Sequence, residues 1–534
     1  MEIVDYIIVG GGCTGSITAH TLSGLGKQVI VLDTGIDHVD TQFSASDFIA
    51  KRMQDYTQSD FFLGKNFEVL SDQKHPNIPQ QTAQRIYMSE QTDTFIPHFS
   101  KTFFPVESLA FGGLGNGWGL GSYVFSTPEL IKTGLPIENI RTGYKKTASL
   151  IGISGESKDD ASRFCHNNEI DLQATIRLNS SAEHLLTRYN KQQQTFHSKH
   201  IYIGRPSLAL LTENHDERKA YGYKDLDFYE NEGYSAFRPK HLIQKLTEQG
   251  QIQYLNNWLV LKFEEHENYI SIHCLHTESY ETNRFYAKKL ILASGTLGTA
   301  RIVLRSKESS QQLPILCNAY TYMPMIYMPC IGVKHDGQQS GFAQLALFYD
   351  KYGDHSDVTM ASVYNYRSLL NFRILKQMPL NVVHGEQFLK LILPSLFIAG
   401  IFHPVSFNNH NYIQLKKEDS ITGDQLHSHY EYSQSELEDY KQSEKIISSS
   451  FKKLKCMPLK KVRTPLGGSI HYSGSLPFKS TDEHYSINPN GKLGGFKHIY
   501  IADGSGISYL PGKGLTLTLM ANAYQVALNA LKND

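Results

Sequence analysis

Apolar and polar positions are unevenly spread along the chain. Residues 4–9 form an apolar run that ends directly in glycines, which predicts a buried strand. Behind it Ile17, Ala19, Leu22 and Leu25 fall on one side of a helix, Gly24 and Gly26 mark its end, and residues 29–32 predict a second strand closing on Asp33. Residues 36–100 are polar and aperiodic, and read as a long excursion or cap. From about 130 to 235 helical and strand-like runs alternate with polar turns and carry no assignable site. Residues 237–246 predict an amphipathic helix, followed by strands at 252–255 and 259–263 and an alternating run at 270–274. Residues 289–293 predict another strand that meets glycine before an apolar helix at about 300–304.

The block from 311 to 455 is the least patterned and is expected to shape a substrate pocket. Within it the apolar stretch 389–402 is too short to span a bilayer and is interrupted by Pro394. It reads as a buried or interfacial segment, with peripheral membrane attachment left open. Residues 433–454 predict a helix burying Leu437, Tyr440, Ile447, Phe451 and Leu454. Near the end, 498–505 predict a strand finishing in an acid and a glycine, and 517–527 a last helix. Repeats and low-complexity tracts are absent, which excludes an interaction array.

The glycines add chemistry to this pattern. A strand running into Gly10, Gly12 and Gly15, then a helix and a strand ending in Asp33, is a dinucleotide-binding arrangement. Gly10 permits the tight turn, Gly12 lets the backbone approach a pyrophosphate, Gly15 lets helix and sheet pack closely, and the helix N-terminus offers N–H groups to phosphates. Asp33 is placed to accept hydrogen bonds from an adenosine ribose. Residues 111–121 spend six glycines in eleven positions around Asn116 and Trp118, a composition suited to lying against a planar ligand. In 467–475 His471 stands among glycines and serines, where a ligand can approach the imidazole.

Charge and cysteine usage narrow the partners. Lysine plus arginine equals aspartate plus glutamate at 52 each, so no net field recruits nucleic acid or an acidic membrane, and a small neutral ligand fits better. The six cysteines are scattered without metal-ligand spacing, and His273 and His276 have no partner motif. No metal site and no disulfide framework are expected. With Met1 three residues from the first strand, no signal peptide is expected and the expected location is cytoplasmic.

Taken together, residues 10–33, 112–119, 290–301 and 467–527 resemble the glucose–methanol–choline family of flavoprotein oxidoreductases. The resemblance implies an α/β fold: a discontinuous Rossmann-like FAD-binding domain over 1–35, 101–130, 236–310 and 456–534, and an α+β cap and substrate-binding domain over 36–100, 131–235 and 311–455. It implies FAD, with the pyrophosphate on Gly10, Gly12 and Gly15, the adenosine on Asp33 and the adenine near Val260. Gly113, Asn116 and Gly117 would lie near the isoalloxazine, Gly112, Ala293 and Gly295 would meet the same cofactor, and Asp503 with Gly504 would meet the ribityl-phosphate region. His471 matches the histidine of the family's H-x-x-G-[ST] motif, implying a general base with a pKa near 6–7 that takes the hydroxyl proton of an alcohol. The family's second histidine or asparagine is missing, because Gly514 stands at that position. Lys513, expected to be solvated, and Thr516 are the candidates to replace it. The pattern around Ser475 and Pro477 is closest to the branch associated with carbohydrate metabolism, so the expected partners are a sugar or other small alcohol and an electron acceptor. A redox-neutral flavin isomerase or lyase, and a flavin binder without catalysis, are the alternatives.

Overall fold

A computed structural model describes residues 2–37, 83–223, 233–334, 341–365 and 379–532. Most of the predicted polar excursion, residues 38–82, lies outside the described residues, as do parts of the predicted substrate region. In chain order the elements that build the molecule are β1 (Val4–Val9), α1 (Cys13–Gly24), β2 (Val29–Leu32), α2 (Thr127–Thr133), α3 (Ile137–Ile151), β3 (Ile201–Gly204), α4 (Pro239–Glu248), β4 (Gln253–Leu255), β5 (Trp258–Glu265), β6 (Ile270–His276) and β7 (Thr282–Leu292). They continue with α5 (Thr296–Ser306), β8 (Ala319–Tyr327), β9 (Leu345–Asp350), β10 (Val358–Asn365), α6 (Val382–Ile392), β11 (Leu396–His403), α7 (Gln434–Lys453), β12 (Cys456–Pro458), β13 (Ile499–Ile501) and α8 (Thr516–Lys532). The fold is mixed α/β.

The first sheet runs β4-β2-β1-β7-β6-β5, with β13 beside the second half of β7. β4, β2, β1, β7 and β13 are mutually parallel, in register at Ile7↔Ile30, Ile7↔Leu290 and Tyr500↔Ile291. β1 is buried on both faces, as a central parallel strand requires. Tyr6 and Ile8 pack toward α1 and α8, while Ile7 and Val9 pack with Val260, Leu290 and Ile501. α8 lies against α1 and α3. Gly143 makes the second of these contacts close, since a Cβ there would run into the Ala521 carbonyl, and Tyr144 Oη and Thr518 Oγ1 hydrogen-bond across it at 2.7 Å.

Every predicted buried position of α1 is buried except Leu25, which is 54 % exposed. The helix has already ended at Gly24, and Gly26 turns the chain at φ +75°. α5 is longer than the pattern predicts, because its first turn, Thr296 to Thr299, is held by polar contacts described below. α7 ends one residue inside each predicted boundary, opened by a Ser433–Glu436 capping box.

The second sheet is antiparallel, in the order β12-β8-β11-β10-β9-β3. Its strands obey the period of two. Met323, Met325 and Tyr327 of β8 face a core shared with α7, whereas Tyr320 and Tyr322 face the first sheet's loops. The stretch that invited a membrane reading becomes the end of α6 and β11, which is flanked by β8 and β10. No described helix is long and apolar enough to cross a membrane.

Candidate functional site

The carboxyl ends of β1, β2, β7 and β13 open into a cavity of about 520 Å³, roofed by the tyrosine-bearing face of the second sheet. Its size is that of a small-molecule site. The turn after β1 supplies Gly10 and Gly12, the end of β2 supplies Asp33, the turn after β7 supplies Ala293 and Gly295, and that after β13 supplies Asp503 and Gly504. Val260 of β5 and Gly113 and Gly117 of the glycine-rich loop also reach it. Gly15, Gly112 and Asn116 stand behind this lining.

The glycines divide by task. A Cβ on Gly15 would run into the Gly10 carbonyl oxygen, so this glycine serves packing. A Cβ on Gly12 would meet only the Gly112 oxygen at 3.9 Å, and one on Gly295 would meet nothing within 4 Å. Open floor therefore lies over Gly12 and Gly295. Each caps a helix, α1 and α5 respectively, with no side-chain cap and no acid in the first turn. Thr516, the first residue of α8, also reaches the cavity. Helix N-termini presenting N–H groups to an open floor are the donor set that a phosphate takes.

Asp33 is half-buried. Its Oδ2 accepts hydrogen bonds from the Gly11 N–H at 3.1 Å and from the Tyr254 hydroxyl at 3.2 Å, and burial raises the carboxyl to about 7. Asp503 is more deeply committed. Oδ1 accepts from the Ser505 N–H and hydroxyl, Oδ2 accepts from Thr299 Oγ1 at 2.5 Å, and these contacts tie the turn after β13 to the first turn of α5. What this turn offers a ligand is backbone. Arg301 is likewise taken, by a bidentate pair with Glu107. Asn116 donates from Nδ2 to the Phe111 carbonyl at 2.5 Å while its buried Oδ1 has no hydrogen-bond partner among the described residues.

His471 lines the cavity from the side of the second sheet. Its ring stacks on Phe402 at 4.7 Å and 17°, and Phe402 in turn stacks on Tyr320 at 4.2 Å. Nδ1 lies 3.1 Å from Asn318 Oδ1. The Asn318 amide has one orientation open to it, because Nδ2 donates to the carbonyls of His403 at 2.7 Å and Pro511 at 3.1 Å, which only accept. Its oxygen must face His471, so Nδ1 carries the hydrogen and Nε2 carries the lone pair. Burial pulls the ring down to about 4, well below the expected 6–7, and it is neutral at ordinary pH. Such a ring can accept a proton at Nε2.

Tyr322 of β8 and Ser362 and Tyr364 of β10 complete the wall around His471. Burial pushes the Tyr364 hydroxyl up to about 12 and raises those of Tyr320 and Tyr322, so all three remain neutral phenols. Gly400 of β11 gives Tyr320 its place, since a Cβ there would run into the Tyr320 hydroxyl. Asn318 and this aromatic wall are absent from the sequence reading. The alternation of Tyr320 and Tyr322 was a period-two signal for the wall, but no local signal marks Asn318.

The two candidates beside Gly514 part company. Lys513 is buried, not solvated, and is held by Glu129 Oε2 at 2.8 Å and the Val124 carbonyl at 3.3 Å. It does not line the cavity, which removes it as a proton acceptor there. No protein-family model matches the chain, and neither does any curated protein.

Proposed function

We propose that the protein is an FAD-dependent oxidoreductase that converts an alcohol group of a sugar or polyol to a carbonyl, with His471 as general base. The observation that carries this reading is that one cavity holds both an open glycine floor at uncapped helix N-termini and a histidine whose lone pair is fixed on Nε2. Parallel β1, β2 and β7, with α1 crossing between the first two, support a Rossmann-like cofactor domain. Gly10, Gly12 and the α1 N-terminus would hold the pyrophosphate of FAD, Asp33 its ribose, and Gly295 and Gly504 the phosphate nearer the ring system. When bound, FAD supplies the acceptor for the carbinol hydride.

The chain's own residues supply the rest. His471 Nε2 takes the hydroxyl proton, and Asn318 Oδ1 steadies the imidazolium that results by accepting from Nδ1–H. Phe402 holds the ring by stacking and is itself backed by Tyr320, while the hydroxyls of Tyr322, Tyr364 and Ser362 offer neutral hydrogen-bonding partners to a polyhydroxylated substrate. Aromatic faces alternating with hydroxyls favour a sugar over an aliphatic alcohol. Anaerobic mixing with a panel of sugars and polyols tests the reading, with bleaching of bound FAD the expected result. Turnover without net bleaching would make the protein an isomerase or lyase, and tightly held FAD with neither response would make it a binder.

A further inference from the structure

The cavity-facing side of the second sheet does not stop at the cavity. Tyr322 lines the cavity and is also exposed, so the cavity opens beside it. Beyond it the chain that follows α7 runs antiparallel along β8, setting Val462 opposite Tyr322 and Met457 opposite Ile326, with the Leu459 N–H donating to the Pro324 carbonyl between them. Directly opposed residues of an antiparallel pair share a face. Met457, Leu459 and Val462 therefore continue the Tyr322 side, and all three are exposed. Met328, exposed at the end of β8, is joined to this edge by its N–H on the Lys455 carbonyl. A further bond, Gly332 N–H to the Leu391 carbonyl at 2.9 Å, brings the exposed Ile331 and Val333 to α6. There Val383, Phe388 and Leu391 are exposed along one helix side, Val383 by 63 %.

Single exposed apolar side chains are ordinary, but a continuous band of them beside a cavity mouth marks a docking surface. Its charge identifies the occupant. Residues 452–463 carry six basic side chains and no acidic one, in a chain whose net charge is zero. Lys461 and Arg463 answer Glu444, Lys452 and Lys453 end α7 on the other face of the sheet, and Lys455 and Lys460 are exposed beside the apolar residues. Lysine is depleted from the centres of protein–protein interfaces, whereas here Lys455 and Lys460 bracket Met457 and Leu459. A second copy of the chain would bring these like charges together. Apolar tips set among lysines instead match acyl chains beneath anionic headgroups.

We propose that this face docks the protein peripherally on an anionic lipid bilayer, with the cavity mouth at the membrane surface. The proposal is independent of the chemistry assigned to the cavity. It is tested by sedimenting the purified full chain with vesicles of phosphatidylcholine alone and of phosphatidylcholine mixed with phosphatidylglycerol. Binding is expected to the mixed vesicles and to weaken as salt is raised. Each lysine removed at the surface lowers binding about fivefold, so Lys455→Gln and Lys460→Gln combined lower it about twenty-five-fold. Leu459→Ser weakens it further, and removing the same kind of charge from α3 with Lys145→Gln and Lys146→Gln leaves it unchanged. Failure to bind the mixed vesicles overturns the proposal, as does equal loss in the α3 variant. Concentration-dependent self-association abolished by Leu459→Ser would also overturn it, giving the face to a second copy.

Discussion

Asn318→Ala isolates the hydrogen bond that fixes the His471 tautomer. In the parent protein Nδ1–H donates over 3.1 Å to Asn318 Oδ1, and Asn318 is 2 % exposed, so water does not readily replace the lost acceptor. A buried donor left without a partner costs about 1–3 kcal/mol. The ring escapes that cost by moving its hydrogen to Nε2, which places the lone pair on the side away from the substrate space. The productive tautomer then falls to between roughly one in six and one in 150 of the molecules. Flavin reduction by substrate, followed by anaerobic stopped-flow absorbance, should slow by the same factor with bound FAD unchanged. Because the deleted amide also donates to the His403 and Pro511 carbonyls, Asn318→Ser serves as the companion variant that retains a small polar group. The pH profile provides a second reading. With His471 at about 4, the parent rate should stay flat from neutral pH down to well below 6. A rate within twofold of the parent in both variants, FAD intact, would refute the tautomer argument.

Three further predictions follow from the cavity floor and the pair behind it. Gly12→Ala should fold normally and lose FAD, because its Cβ has room and points into the open floor, whereas Gly15→Ala should lower stability by about 1–3 kcal/mol or more through its clash with Gly10, both read by thermal denaturation and FAD content. Asp33 is raised to about 7 by burial and, if it meets the ribose as proposed, accepts its hydroxyls most strongly as a carboxylate, so FAD binding to the cofactor-free protein should expel a proton and weaken by up to about tenfold per pH unit below 7. Asp33→Asn should flatten that dependence, and a titration with the same slope in both proteins would contradict the assignment. Lys513→Met strands the buried Glu129 and should cost about 3–5 kcal/mol in chemical denaturation while leaving flavin reduction of the folded fraction unchanged.

How far the sequence discloses the molecule depends on how far apart the partners lie along it. β1, α1, β2 and the acid at Asp33 span a short contiguous stretch, and their roles rest on local periodicity and on glycines whose constraint is backbone geometry, so the pattern is legible. His471 is legible through its glycine-rich surround. Asn318 is 153 residues from His471 and reaches it because β8 starts beside the turn that carries the histidine. Nothing in the residues flanking Asn318 distinguishes it from any other asparagine at a strand entrance. Lys513 is a sharper case, since a lysine in a glycine turn reads as solvated until Glu129, 384 residues earlier, is seen to meet it. The tyrosine wall falls between the extremes: its period of two is written in β8, but which face meets the cavity is set by the packing of β8, β10 and β11 over loops from the other sheet. The low pKa of His471 has the same origin, because desolvation belongs to the assembled cavity and not to the motif.

The absorption spectrum of the purified protein, recorded before and after anaerobic addition of sugars and polyols, shows whether the cavity holds FAD and whether His471 takes the proton. The expected result is a yellow protein with one FAD per chain, bleached by at least one member of the panel, and a His471→Ala variant that stays yellow but is bleached at least about a hundredfold more slowly. A colourless protein that added FAD cannot reconstitute, or a His471→Ala variant bleached at the parent rate by the same substrate, would contradict it.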